Sequence, residues 1–480
     1  MEPATALLIA IGTVILLGLG AFGATSLREG EHRAARVALG LALALSLPFF
    51  LVALLDSPFR WAMLGLTGVA IVAGTIVFLL PIGQVQRDRE EPTSRIDERD
   101  IMFARARLEP ETPNYEAYYT LRPKNQASDD RTRALPGILS PKASEANPPV
   151  FAATDATFEY IEELHDAADG PVAPDREAVQ AGPTTGYLKG FARYWGARDV
   201  GITELRPYHI YSHIGRGKGV YGAPIALDHR YAIAFTVEMD RQLVGTAPAA
   251  PTLLESARQY ANAAAIAVQL GNLIRSMGYR ARAHINGNYQ VVAALVARDA
   301  GLGEIGRMGL LITSGLGPRV RLGVVTTDLP MLTDHPGYDP SVLDFCQICQ
   351  KCAENCPVRA IPIGDRAEIE GALRWRIDQE LCYRYWCVTG TDCARCIAVC
   401  PYSYPDTTMH NMVRWAARRS GAARRSVHRL DRAFYGATPA IRSAPSWLPP
   451  KPASTTHDRS RQQMQADASI DKQGETHGTN

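Results

Sequence analysis

The chain has 480 residues, of which 46% are apolar and 21% are charged, and its formal net charge is +2 at pH 7. This length predicts about three domains, and the near-neutral charge excludes an overall nucleic-acid-binding footprint. All nine cysteines lie between Cys346 and Cys400. Disulfide frameworks of secreted proteins spread along the chain, whereas clustered thiols indicate metal binding in a reducing compartment.

Three apolar segments open the sequence, at about 4–24, 35–55 and 61–82. Each holds about 20 mostly apolar residues, enough to cross a bilayer core as a helix. A signal peptide is the alternative for the first segment, but that segment lacks a basic start and two further apolar segments follow closely. The sequence therefore predicts a three-helix membrane anchor over residues 1–83.

Arginines flank these segments unevenly. Arg28, Arg33 and Arg36 lie in the first loop and four more lie between residues 87 and 99, whereas the second loop has Arg60 alone and the N-terminal tail has none. By the positive-inside rule, the first loop and everything after residue 83 face the cytoplasm. No twin-arginine export signal precedes the first segment. We therefore predict a multi-pass protein of the cytoplasmic membrane whose catalytic part faces the cytoplasm.

Residues 84–180 begin with a polar, proline-rich stretch, which predicts an extended surface segment with short helices. Further along, helical periodicity and buried-strand composition both occur. The predicted strands are 199–205, 229–239 and 322–330, and the predicted helices are 252–278 and 291–300. This mixture predicts a layered fold of helices on a sheet for a core at 181–339.

The cysteine segment covers 340–410 and is followed by a basic segment at 411–445. Eight arginines lie against one acid between residues 411 and 442. We expect the basic segment to pack on the core. Binding of a membrane surface or an acidic partner, or a solvated helix face, are the alternatives. The tail at 446–480 lacks apolar periodicity and is predicted to be disordered.

Two cysteine motifs carry the strongest chemical signal. Cys346-x2-Cys349-x2-Cys352-x3-Cys356-Pro357 has the bacterial ferredoxin spacing, in which the fourth cysteine ligates the other cluster. The second motif is Cys393-x2-Cys396-x3-Cys400-Pro401, preceded by Cys382 and Cys387. One [4Fe–4S] cluster then takes Cys346, Cys349, Cys352 and Cys400, and the other takes Cys356, Cys393, Cys396 and either Cys382 or Cys387. Zinc is the alternative, but it favours two separated cysteine pairs at one tetrahedral site.

Residues 150–415 resemble the reductive dehalogenases, which use a corrinoid and two [4Fe–4S] clusters. The similar stretches are GARDVGITEL, VEMD, IRSMGYRARAHINGN, AGLGEIGRMGLLITSGLGPRVRLGVVTTDLP, FCQICQKCAENCP and CYRYWCVTGTDCARCIAVCPYS. The implied fold is an α/β (α+β) corrinoid-binding core of nitroreductase-like type with a bicluster ferredoxin-like unit, here preceded by three transmembrane helices. In the family's second motif a cysteine precedes an aromatic-tryptophan step, so Cys382, before YRYW, is favoured over Cys387.

The resemblance also implies catalytic residues. Tyr260 matches the family's helical tyrosine, the proposed acid, and Arg319 matches a lysine or arginine that follows a Gly-Pro step. Asn286 matches a polar residue near the halogen. Arg321 and Asn288 are the respective rivals. The residues alone also support a structural interpretation of each candidate. The apolar neighbours of Tyr260 indicate a tyrosine in the core. Arginines such as Arg319 and Arg321 most often form surface ion pairs, and the Asn-Gly-Asn sequence favours a turn.

The corrinoid is implied to be base-off, without a histidine from the protein, and the sequence has no Asp-x-His-x-x-Gly pattern. Gly301, Gly303, Trp386 and Tyr402 are predicted to contact the corrin or the clusters. GLGEIG also has the glycine spacing of a dinucleotide site, but a predicted helix rather than a strand precedes it. We find no flavin or nicotinamide domain, so the sequence predicts an external electron donor: a ferredoxin, a flavoprotein or a quinol-linked system.

The predicted function is corrinoid-dependent reductive dehalogenation, the two-electron reductive cleavage of a carbon–halogen bond. Two clusters relay the electrons and Tyr260 donates the proton. The predicted partners are a small organohalide, the electron donor and membrane lipid, without nucleic acid. One alternative is an epoxyqueuosine-reductase-like corrinoid reductase, whose tRNA substrate demands a basic groove. The other is a membrane-bound ferredoxin-type subunit without catalysis, which predicts no cobalt and leaves residues 180–335 unexplained.

Overall fold

The computed structural model describes residues 2–79, 91–336 and 339–451, so the predicted tail lies outside the described residues from 452 onward. The α-helices are α1 (Pro3–Arg28), α2 (His32–Ala53), α3 (Ser57–Leu79), α4 (Met102–Arg105), α5 (Pro113–Leu121), α6 (Pro123–Arg133), α7 (Pro148–Glu163), α8 (Ala181–Tyr194), α9 (Arg241–Gly245), α10 (Ala250–Ser276), α11 (Ala293–Asp299), α12 (Pro340–Cys349), α13 (Lys351–Glu354), α14 (Gln379–Thr389), α15 (Arg395–Ala398), α16 (Thr408–Arg419) and α17 (Gly421–Tyr435). The strands are β1 (Val200–Glu204), β2 (Tyr231–Glu238), β3 (Ala281–His284), β4 (Gly303–Ile305), β5 (Leu311–Thr313), β6 (Val320–Thr327), β7 (Ala367–Ile369) and β8 (Ala372–Arg374).

Internal contacts divide the chain into two compact units. The first unit comprises 1–86, 340–349 and 407–440. The second unit comprises 87–339, 350–406 and 441–480.

The first unit contains the three predicted apolar helices. Each of α1, α2 and α3 is long and apolar enough to cross a membrane. Helices α1 and α2 pack closely because small residues line their contact: a side chain at Gly12 would meet Phe49, and one at Gly23 would meet Leu39. Small residues allow such approach between apolar helices. Most apolar side chains of α3 remain on the outside.

Helices α12, α16 and α17 complete the first unit. The basic segment, predicted to pack on the core, forms α16 and α17, which contact α2, α3 and α12. Small side chains lie on the buried faces of these helices, and Ala417 and Ala423 are almost fully buried. The structure thus groups this segment with the apolar helices rather than with the sheet domain.

The second unit is built on an antiparallel sheet with the strand order β1-β2-β6-β3. Helix α10 covers one face, where Ile233, Phe235 and Val325 are buried. Helix α11 covers the other face, over Ala234 and Val324. The predicted strands are confirmed as β1, β2 and β6, and the predicted helices as α10 and α11. An antiparallel sheet with helices on both faces is an α+β arrangement.

The segment at 91–150 contains α4, α5 and α6, the short helices expected for it. It is also attached firmly to the sheet domain. The buried Glu98 accepts hydrogen bonds from the backbone N–H groups of Gly215 and Arg216 and pairs with the Arg216 guanidinium at 3.1 Å. Arg95 donates to the backbone carbonyl oxygens of Ile210 and Ile225. These buried ionic contacts explain why a polar stretch is ordered here.

Candidate active site

Four of the predicted cluster ligands lie close enough in the second unit to interact electrostatically. Burial raises the pKa of Cys382 and of Cys396 to about 12, and the Cys356 thiol adds to both effects. Burial also raises the pKa of Cys393, whose neighbours are Cys396 and Cys382. Metal binding requires the thiolate and releases the proton. This donor set fits one [4Fe–4S] cluster, which takes four thiolates.

Cys387, the rival ligand, has a different environment. Burial raises its pKa to about 11, and its hydrogen-bond partner is the phenol of Tyr383 rather than another thiol. The contacts therefore agree with the preference for Cys382. In the part of the chain that the structure describes, no three histidine, cysteine or carboxylate side chains converge closely enough to hold a single metal ion.

The two cysteine motifs repeat one local conformation. Gln350 and Ala394 each follow a motif cysteine in the left-handed region, with φ of 53° and 51°, and each immediately precedes a four-residue helix, α13 or α15. The first residue of each helix is a buried base, Lys351 or Arg395. Helices α13 and α15 contact each other. Each Cys-x-x-Cys loop thus carries a buried cation between its two thiols.

The remaining predicted ligands are divided between the two units. Cys346 and Cys349 lie on α12 in the first unit, whereas Cys352 and Cys400 belong to the second. Cys349, Cys352 and Cys400 are buried and Cys346 is partly buried.

Tyr260 lies on α10, and the guanidinium of Arg321 stacks over its ring, with the Arg321 Cζ 4.9 Å from the ring centroid. Arg321 lies on β6, opposite Val237 of β2. A cation over an aromatic face is attracted by the ring quadrupole. Helix α10 and strand β6 thus bring a phenol and a permanent cation together.

Two further side chains hold Arg321 in place. Its Nη2 donates to the Ser256 hydroxyl at 2.6 Å and to the Asp392 carboxylate at 2.9 Å, and the Ser256 hydroxyl donates to the same carboxylate. Ser256 lies one helical turn before Tyr260, and Asp392 directly precedes Cys393. Burial lowers the pKa of Arg321, but Tyr260 and Asp392 outweigh that effect and raise it. The network therefore joins the tyrosine to the second cysteine motif.

Arg319, predicted as the cation beside Tyr260, contacts other groups. It is buried, pairs with Glu238 at 2.8 Å, and donates to the backbone carbonyl oxygens of Ser403 and Met239. The structure thus places Arg321, the rival, rather than Arg319 over the Tyr260 ring, and the catalytic cation stays a prediction. Arg319 directly precedes β6, which begins at Val320.

More tyrosines surround this pair. Tyr211 and Tyr289 are both partly buried and lie near each other. Burial raises the pKa of both, that of Tyr211 to about 12. Tyr289 interacts with Tyr260, Arg216 and Arg321. Neither tyrosine was predicted from the sequence, where the signal for Tyr289 was its position directly after the HINGN stretch.

The two candidate asparagines differ in their contacts. The side-chain oxygen of Asn288 accepts from Arg282 at 2.8 Å, and its amide is 3.5 Å from the carbonyl oxygen of His165. For Asn286 the contact is made by the backbone carbonyl oxygen, which lies 2.8 Å from Nε2 of the His165 ring. Asn288 is therefore occupied in structural contacts, which leaves Asn286 as the better candidate for a ligand contact.

The remaining predicted cofactor contacts are distributed over three places. Gly301 lies in a turn with φ of 81°, and Gly303 begins β4, so GLGEIG follows a helix and enters a hairpin. This order confirms that it lacks the strand–turn–helix context of a dinucleotide site. Tyr402 lies so close to the loop before β6 that a side chain at Gly317 would approach its Cβ to 2.5 Å. Trp386 packs on Phe103, with ring centroids 5.6 Å apart.

Comparisons with known proteins identify the relationship. A family model described as a 4Fe-4S dicluster domain matches residues 345–404. The tetrachloroethene reductive dehalogenase of Sulfurospirillum multivorans is 33% identical over 282 residues, which cover 51% of this chain and 56% of that protein. The chain is a relative of the reductive dehalogenases. The relationship predicted from the sequence is thereby confirmed.

Solved dehalogenase structures share the fold. The catabolic reductive dehalogenase NpRdhA, in complex with 3-bromo-4-hydroxybenzoic acid, matches with a TM-score of 0.59 and 26% identity over 73% of this chain and 49% of that chain. A reductive dehalogenase whose structure suggests a mechanism for B12-dependent dehalogenation matches with a TM-score of 0.58 and 26% identity. The chain spans about half the length of these relatives.

Proposed function

We propose that the chain is a corrinoid-dependent reductive dehalogenase. The reaction takes an organohalide, two electrons and a proton to the dehalogenated product and a halide ion. The observation that carries the proposal is the stacked Tyr260–Arg321 pair, in a fold related to dehalogenases. The relationship to proteins named reductive dehalogenases supports the reaction class.

The residues near Tyr260 and Arg321 suit a flat, aromatic-stacking cofactor. Tyr211 and Tyr289 offer aromatic surface, and the buried Nε of Arg321 has no hydrogen-bond partner among the described residues. A corrinoid bound there would supply the strongly reducing centre for carbon–halogen cleavage. We infer base-off binding in a nitroreductase-like core, with Gly301, Gly303, Trp386 and Tyr402 as candidate contacts.

The protein's own contribution is the proton and its control. The Tyr260 hydroxyl donates the proton to the carbon that loses the halide. Arg321, over the ring, then stabilises the phenolate, and Asp392 and Ser256 hold the guanidinium in position. A positioned acid of this kind contributes about 10²–10⁴-fold to a rate. Asn286 is the candidate contact to the halogen end of the substrate.

Electrons reach this site through the predicted clusters. Cys356, Cys382, Cys393 and Cys396 would hold the one nearer to Tyr260, because Asp392 contacts Arg321 and precedes Cys393. An external donor would reduce the other. We infer that the three apolar helices tether the enzyme to the cytoplasmic membrane, with the catalytic unit on the cytoplasmic side.

Metal content and turnover test this proposal together. The full chain is produced with a corrinoid supply, purified anaerobically in detergent, and analysed for iron and cobalt. Two clusters predict about eight irons per chain, with about one cobalt. Halide release from tetrachloroethene and from 3-bromo-4-hydroxybenzoic acid is then measured with a strong chemical reductant. Eight irons without cobalt, even after reconstitution, would refute the proposal and leave an electron-transfer subunit.

A further inference from the structure

Helices α16 and α17 attach to one end of the apolar helices. The Ser420 hydroxyl, at the turn between them, donates to the carbonyl oxygen of Val77 at 2.8 Å, near the end of α3. The His410 ring lies 3.3 Å from the Glu29 carboxylate, in the loop after α1. The end of α3 and the α1–α2 loop belong to the same side of the anchor, the side with the arginine-rich flanks.

The depth of these contacts matches the edge of the hydrocarbon core. Phe434 of α17 packs on Phe22 of α1, with ring centroids 5.3 Å apart. Phe22 lies six residues before the end of α1, about 9 Å along the helix axis at 1.5 Å per residue. The 26 residues of α1 extend about 39 Å, which exceeds a hydrocarbon core of about 30 Å. The last turns of α1, and α17 beside them, therefore lie at the bilayer boundary.

Helix α16 presents an apolar row away from its buried face. Met409, Met412 and Val413 are spaced as on one helix face and are exposed, Met412 by 66%. Trp415 is 48% exposed beside them. The opposite face, with His410, Arg414 and Ala417, is buried. An exposed apolar row next to membrane spans suits the acyl boundary of a bilayer, where tryptophan is also enriched.

The exposed charged side chains of these two helices are all basic. The exposed arginines of the pair are Arg418, Arg419, Arg425 and Arg429. Asp431, the sole acid of α16 and α17, is buried. Arg28, Arg33 and Arg36 of the anchor add to the same layer. Basic residues beside an apolar helix face bind anionic lipid headgroups.

We propose that α16 and α17 form an interfacial platform that inserts Met409, Met412, Val413 and Trp415 into the bilayer boundary and binds anionic phospholipids through its exposed arginines. The proposal goes beyond dehalogenation and depends on α1, α2 and α3 being membrane spans. Its occupant is the lipid surface itself, because the apolar row continues the lipid-facing surface of the spans and the arginines complement anionic headgroups.

Quenching by brominated lipid tests the insertion. The full chain is placed in nanodiscs with bromine on the acyl chains, and the emission of the Trp415→Phe variant is subtracted from that of the wild type to isolate Trp415. We expect Trp415 to lose most of its emission in brominated discs. Emission that bromine leaves unchanged would overturn the proposal and indicate that α16 faces water or a soluble partner.

The position of the bromine tests the lipid selectivity. In discs of phosphatidylglycerol and phosphatidylcholine at equal mole fraction, quenching is expected to be stronger when phosphatidylglycerol carries the bromine. The variant with glutamine at the four exposed arginines is expected to lose this preference but to remain quenched. The matched Lys124→Gln/Arg131→Gln variant removes two exposed charges of the second unit and should keep the preference. Equal quenching by both brominated lipids in the wild type would refute anionic recognition.

Discussion

Tyr260 is the proposed proton donor, and a fixed cation lies over its ring. We expect Tyr260→Phe to lower kcat by about 10²–10⁴-fold, because a positioned acid contributes that much. Iron and cobalt contents should be unchanged. Halide release under saturating substrate measures the effect. Tyr187→Phe, at an exposed position of α8, is the matched control and should keep full activity. Retained activity in Tyr260→Phe would assign the proton to another group.

Substitution of Arg321 is expected to lower activity, whereas substitution of Arg319 is expected to lower stability. Arg321→Gln removes the cation over Tyr260 and should lower kcat by about 10²–10³-fold, the usual cost of one electrostatic contact to the transition state. Arg319→Gln leaves the carbonyl oxygens of Met239 and Ser403 without their donor, which costs about 1–3 kcal/mol for each buried acceptor. Its main effect should be a lower Tm. The opposite pattern, a stable but inactive Arg319→Gln, would return the catalytic role to Arg319.

The sequence could predict the tyrosine but not the choice between these arginines. Residues 319 and 321 are two positions apart, so strand alternation places them on the same side. Their partners come from other segments, Glu238 for Arg319 and Asp392 for Arg321, and GLGPRVRLG gives no sign of either. Asp392 was also missed, because its contact with Arg321 joins residues 71 positions apart in the chain.

At the scale of elements, the repeated Cys-x-x-Cys loops each bury a base. Arg395 interacts with the Cys393 thiol, so its charge should favour the reduced, more negative cluster. We expect Arg395→Gln to lower the midpoint potential of that cluster by roughly 100 mV, the order of one unit charge several ångströms away at an effective dielectric constant of about 20. A spectroscopic redox titration measures the shift. Arg395→Lys keeps the charge and should stay near the wild-type potential. An unchanged potential in Arg395→Gln would limit this arginine to packing.

The choice of fourth ligand has an equally direct test. Cys382→Ser should lose one cluster, and with it about four of about eight irons, whereas Cys387→Ser should keep all of them. Iron analysis and the spectrum of the reduced protein distinguish the two variants. If Cys387→Ser lost the iron instead, the ligand set would have to include the thiol beside Tyr383.

Long elements were predictable because each contains enough residues to show its apolar pattern. The strand β2 and helix α10 are buried along most of their length and have unbroken apolar patterns. Short strands were not predictable: β3 is Ala-Arg-Ala-His, whose alternation is masked by buried Arg282 and His284. Their partners lie outside the strand: Arg282 donates to Asn288, six residues on, and the His284 ring contacts Thr326, 42 residues away.

At the scale of the whole molecule, the net charge does not show where along the chain the charged residues lie. The net charge of +2 is a small difference between large opposite numbers, and the arginines concentrate on α16, α17 and the anchor flanks. The sequence identified both the apolar helices and the basic segment. It did not join them, because more than 300 residues separate Phe22 from Phe434 and long-range packing leaves no local pattern.

The packing of α12 sets an order for biogenesis. This helix carries Cys346 and Cys349, contacts α16 and α17, and is pinned by an ion pair between Asp344 and Arg424. Helices α16 and α17 in turn pack on α2 and α3, which leave the ribosome before them. Metal insertion at these two thiols should therefore follow membrane insertion. A chain stripped of its anchor should mature with fewer irons, however well its sheet domain folds.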